Sequence, residues 1–262
     1  MKILKIVLIG FIATLLRAML QPLMPVGQQT VLAPSMFINN GSMPIAFMLY
    51  GTFAYTIVAA IFLILHKHLS GNRIIKGLKF GILFSLLWSI YLMEPLAHGA
   101  PIDKLTYPIA DSAVLIVMGL LLGRFLAISS PNKKYKFTKH SLRSIEIITA
   151  LFFIGRMIEY KIFNIYSTFN NSPLSSIIWV IGTGIVIGLL FDYINPLISS
   201  KSITYKAFIF GVVIFGLDLF AFNFFIPIVF SFDILDLCIR TVVDTIFVFI
   251  GSYSATHVAS GM

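Results

Sequence analysis

Charge is scarce in this chain. Charged residues make up 11% of its 262 positions, against roughly a quarter in soluble domains. That scarcity excludes an ordinary water-soluble globule. Acids are scarcer than bases, 10 against 19. Cysteine occurs once, as Cys238, which excludes an intramolecular disulfide framework. No His-Glu-x-x-His, glycine-rich phosphate loop or clustered carboxylates at metal spacing occur, so metal and nucleotide chemistry find no support. Only His66 and His257 fall at one depth, as paired haem ligands require, and no cofactor is expected. Ser112 and Thr245 stand beside acids with no histidine base at their level, which argues against a hydroxyl nucleophile. Enzymatic activity is therefore not the leading expectation.

What the chain has is apolar length. Hydrophobic residues reach 58%, and eight stretches can each cross a hydrocarbon core about 30 Å thick. They run over about 3–24, 44–66, 77–97, 107–129, 144–166, 175–198, 207–230 and 237–256. The connections are short and leave no room for a soluble domain. The fold class expected is an all-α polytopic membrane protein, its partner the lipid bilayer.

The basic residues orient it. Lys2 and Lys5 precede the first stretch, Lys67, Arg73, Lys76 and Lys79 surround the second connection, and Lys133, Lys134, Lys136, Lys139 and Arg143 the fourth. Lys201 and Lys206 flank the sixth, while the odd-numbered connections between stretches hold only Lys104. The positive-inside rule places both termini in the cytoplasm, and a composition rich in Ile, Phe, Lys and Asn points to a bacterial inner (plasma) membrane. The net charge of +9 is a topology signal, alternating with the spans instead of forming a nucleic-acid-binding patch.

An internal duplication orders the polar residues. Arg17 matches Arg156, Asn39-Asn40 matches Asn170-Asn171, and Gly51-Thr52 matches Gly182-Thr183. Lys76, Phe80 and Gly81 match Lys206, Phe210 and Gly211, and Asp111-Ser112 matches Asp244-Thr245. The order implies a repeat over 1–130, a basic linker at 131–143 and a second repeat over 144–262. Four spans each is an even number, so the two repeats share one orientation.

An arginine in mid-membrane costs about 2.5–3.5 kcal/mol on insertion scales unless paired or hydrated. The duplication pairs Arg17 with Asp111 and Arg156 with Asp244 as intramembrane ion pairs. Residues that break the symmetry make better site candidates: Asp218, which aligns near Trp88, with Arg240, Asn223 and Glu94. Most of these polar groups lie at mid-depth or in the outer half of the spans. Seven phenylalanines between 208 and 225 surround Asp218 and Asn223, an environment suited to a small amphipathic or cationic ligand. The expected function is a small-molecule transporter or substrate-binding membrane component with an outward-facing polar cavity between the two repeats. The alternatives are an accessory or sensor protein whose ion pairs are structural, and a lipid-acting intramembrane enzyme.

Overall fold

A computed structural model describes residues 2–25, 27–29, 31–131, 135–200 and 202–260. Three of the lysines that orient the chain, Lys133, Lys134 and Lys201, lie outside the described residues. The fold is all-α. Its helices are α1 (Lys2–Leu20), α2 (Met36–Asn39), α3 (Met43–Leu65), α4 (Arg73–Leu92), α5 (Asp103–Leu126), α6 (Lys139–Ile158) and α7 (Pro173–Ile194). They continue with α8 (Ile203–Phe208), α9 (Leu217–Asn223), α10 (Ile226–Val229) and α11 (Ile234–Ser260). Two π-helical segments interrupt this series, Glu159–Phe163 after α6 and Ile209–Gly216 between α8 and α9.

Long apolar runs become helices because only a helix satisfies every backbone group within one segment in lipid. Polar side chains at the ends set their limits. Asn72 accepts from the Ile75 amide to start α4, and Thr138 with Ser141 forms a capping box at α6. Pro44 and Pro173 occupy the first turns of α3 and α7, where a missing N–H costs nothing.

Among the described residues six helical stretches are long and apolar enough to cross a membrane: Lys2–Leu23, Met43–Leu65, Arg73–Leu92, Asp103–Leu126, Pro173–Leu197 and Ile203–Val229. Eight were expected. The stretches expected at 144–166 and 237–256 are helical, as α6 with its π extension and as α11, and both carry charges along their length. Helix α6 carries Lys139, Arg143, Glu146 and Arg156, and α11 carries Asp236, Arg240 and Asp244.

Two compact units divide the chain. One is Met1–Asn132 with Phe220–Ile234, and the other is Lys133–Leu219 with Leu235–Met262. The segment Phe220–Ile234, in the second half by sequence, thus packs with the first. The boundary falls inside α9, after Leu219.

In the first unit α1 packs on α3 and α5, and α4 on α5. The α4–α5 seam is backbone against backbone. A Cβ on Gly77 would stand 2.1 Å from the Gly119 carbonyl oxygen, and one on Gly123 would stand 2.3 Å from that of Arg73. Small residues thus let these helices approach as membrane helices commonly do. Phe222 and Phe225 close the unit's aromatic core, with ring centroids 5.0 Å from Tyr91 and 4.9 Å from Tyr50. The Tyr50 hydroxyl donates to the carbonyls of Phe220 and Ala221, at 3.2 and 3.0 Å. The loop before α2 is pinned to α10 by Ser35 N–H to Val229 O (3.1 Å) and Ser231 N–H to Ala33 O (2.8 Å).

In the second unit α6 packs on α7, where a Cβ on Gly184 or Gly188 would stand 2.8 Å from the Cα of Thr149 or Ile145. Helix α11 lies against α6 through Gly155 and Phe247, and against the π segment through Gly211 and Phe249.

Candidate functional site

In the first unit the Arg17 guanidinium, near the end of α1, donates from Nε to Asp111 Oδ1 on α5. A second donor reaches Gln21 Oε1 at 2.8 Å, and the Tyr107 ring centroid lies 5.7 Å away. Both charges are buried, Arg17 at 8% and Asp111 at 7% exposure. One cation meets one carboxylate, and the pair is formally neutral.

In the second unit Arg156, near the end of α6, donates to Asp244 Oδ2 on α11 at 2.5 Å. Here a second carboxylate joins: Glu159 Oε2 lies 3.4 Å from Nη1 of the same guanidinium. The Trp179 and Phe152 rings lie over the cation at 4.9 and 5.4 Å. Such packing of a guanidinium against aromatic faces is attractive where water is excluded. Arg156, Glu159 and Asp244 are 2%, 0% and 0% exposed.

A further aspartate lies near the start of the last long helix in each unit. Asp103, on α5, accepts from the Gly27 amide at 2.8 Å and from the Ala100 amide at 3.2 Å. Asp236, on α11, accepts from the Tyr166 amide. Gly27 follows Arg17 by ten residues and Tyr166 follows Arg156 by ten. Asp103 precedes Asp111 by eight and Asp236 precedes Asp244 by eight. Sequence reasoning missed both, because an acid in a helix's first turn reads as an ordinary cap. The eight-residue spacing repeated in the two halves was the signal available.

The symmetry-breaking candidates divide between the units. Arg240 donates to the Tyr166 carbonyl at 2.6 Å and lies 3.6 Å from Asp236, one turn earlier on α11. Asp236 and Arg240 thus grip the N–H and the C=O of one residue, Tyr166. That grip holds the chain just after Asn164, whose φ of 50° turns it out of the π segment. Asp218 belongs to the second unit as well. It is fully buried, in the first turn of α9, two residues beyond the π segment. Asn223 and Glu94 belong to the first unit. Asn223 is buried at the end of α9, and Glu94 is half-buried just past the end of α4.

Among the described residues no group of three or more His, Cys, Asp or Glu stands ready to hold a metal ion. Comparison with known protein families, characterised proteins and solved structures finds no match to this chain.

Proposed function

We propose that the chain is an integral membrane protein of two like-oriented four-helix repeats that binds and moves a small solute, with Asp218 as the solute- or proton-carrying group. In this reading α6 and α11 also cross the bilayer, giving eight spans. Their charges include Arg156 and Asp244, which in this reading enter lipid as a bonded pair and not as two separate charges. In this reading both termini are cytoplasmic, which the basic residues between the spans support through the positive-inside rule.

Three recurring features support the repeat. Each unit has an Arg–Asp pair joining its first and last long helices. Each has an aspartate near the start of that last helix bonded to a backbone amide ten residues beyond the arginine. In each, a matched glycine meets a matched backbone: a Cβ on Gly81 would stand 2.8 Å from Ile116 Cα, and one on Gly211 2.5 Å from Phe249 Cα.

The solute reading is carried by the place where the units part. Helix α4 runs unbroken as an α-helix through Trp88. The matching stretch of the second unit contains the π segment Ile209–Gly216 and then the buried acid Asp218. π segments concentrate at functional sites. A buried acid in a membrane helix is costly and is usually kept for binding or proton transfer. The solute is a small amphipathic or cationic molecule, approached from the outer side, where most of the intramembrane polar groups lie. Asn223 and Glu94 are secondary candidates.

The test is a thermal-shift titration of the purified protein with choline, spermidine and ethidium. Wild type should be stabilised by at least one of these cations, and Asp218→Asn should melt at a similar temperature with no solute response. A response that survives Asp218→Asn would remove Asp218 from the site. The second reading, a non-transporting accessory protein, is favoured by one observation: Arg17, Arg156 and Arg240 all bond within their own units. It would prevail if no cation shifts the melt and Asp218→Asn alters only stability.

A further inference from the structure

We infer that Tyr50 is a positioning residue for Asp218, acting through the backbone of α9; this rests on the reading of Asp218 as the solute-carrying group. Helix α9 has 7 residues, Leu217–Asn223. So short a helix does not hold its shape alone, since isolated helices below about 12–15 residues are marginal in water even in favourable sequences. Its place, and that of Asp218 in its first turn, is therefore set by what holds its two ends.

The upstream end is held by close packing in the second unit. A Cβ on Gly216, the last residue of the π segment, would stand 2.8 Å from Thr245 Cγ2 on α11. The downstream end is held in the first unit by rings and by one hydroxyl. The Phe222 ring lies 5.5 Å from that of Trp88 and 5.0 Å from that of Tyr91. Such contacts are only loosely directional and tolerate a slide along the helix axis. A hydrogen bond does not, because its distance and angle are narrowly set. Tyr50 Oη, on α3, donates to the carbonyls of Phe220 and Ala221 at 3.2 and 3.0 Å. Both belong to the last four residues of α9, whose carbonyls a helix end leaves without an intrahelical partner. The Tyr50 ring meanwhile meets Phe225 edge-on at 4.9 Å. Tyr50 thus fixes the height of α9, and Asp218 lies about 3 Å of helix rise before Phe220.

Both residues break the proposed repeat. The alignment that sets Gly51 on Gly182 sets Tyr50 on Ile181, which has no side-chain donor, and Asp218 near Trp88, which has no charge. A phenol present only in the first half and an acid present only in the second therefore serve one short helix.

The test uses the full-length protein in detergent with whichever of choline, spermidine and ethidium stabilises wild type. Tyr50→Phe keeps the ring against Phe225 and removes only the donor. Its apparent Kd for that cation, measured well below both melting temperatures, should rise about two- to tenfold, the worth of one net hydrogen bond. Cation-induced infrared difference spectra supply a local readout that a merely structural role would not move. The carboxyl stretch that disappears in Asp218→Asn should shift in Tyr50→Phe. It should return with 4-aminophenylalanine in place of Tyr50, which restores an N–H donor on the same ring. A carboxyl band left in place by Tyr50→Phe would overturn the inference, whatever that variant does to stability. Failure of the underlying reading looks different: no cation stabilises wild type, or the response survives Asp218→Asn, and the task assigned to Tyr50 falls with it. A response lost in Asp218→Asn, with Kd and band unchanged in Tyr50→Phe, would defeat Tyr50 alone.

Discussion

The two compact units solve one problem with different margins. In the first, Arg17 has a single carboxylate, Asp111, backed by the neutral Gln21, and every long helix is regular. In the second, Arg156 stands between Asp244 and Glu159 under two aromatic rings, and both π segments belong to this unit. A buried arginine–aspartate pair therefore sits in a plain frame and in an elaborated one. A bonded pair makes an arginine tolerable in lipid. A third charge and two π segments exceed what tolerance requires, and the proposed function assigns the solute site to the second unit.

The comparison can be broken by uneven damage. Asp111→Asn leaves Arg17 buried with no carboxylate and should cost about 3–5 kcal/mol. Asp244→Asn leaves Glu159 beside Arg156 and should cost about half as much. Equal losses by chemical denaturation in detergent would show that Glu159 does not buffer the second unit. The charge swap Arg17→Asp with Asp111→Arg should restore most of the stability that either change alone removes; absence of recovery would deny a direct pair. A smaller contrast concerns packing. Gly77→Ala sets a methyl 2.1 Å from the Gly119 carbonyl oxygen and should cost about 1–3 kcal/mol. The proposed repeat sets Gly77 against Ala207, which is fully buried, and Ala207→Gly should cost no more than about 1 kcal/mol. If Gly77→Ala melts like wild type, the α4–α5 seam is looser than its geometry implies.

The sequence was most legible where choices were fewest. Acids are so rare in the apolar segments that Asp111 and Asp244 stood out as partners for Arg17 and Arg156 from order alone. The first-turn aspartates were hidden because Asp103 and Asp236 sit at helix ends, where acids are common and unremarked. The π segments could not be read at all, since Ile209–Gly216 is equally apolar whether its turns hold 3.6 residues or more. The place of Phe220–Ile234 in the first unit was hidden for a related reason. Phe222 and Phe225 look like lipid-facing residues until Tyr50, Trp88 and Tyr91 are brought beside them. Arg240 looked like a site residue because it had no basic counterpart; its grip on Tyr166 shows a positioning task that sequence spacing alone did not suggest.

The division of labour between the units is tested most directly by measuring solute-induced stabilisation in two variants side by side. One removes the first unit's pair without leaving a lone charge, Arg17→Gln with Asp111→Asn; the other is Asp218→Asn. The account expects the paired replacement to keep the thermal response to an organic cation that stabilises wild type, and Asp218→Asn to lose it. Loss in the first variant with retention in the second would contradict it.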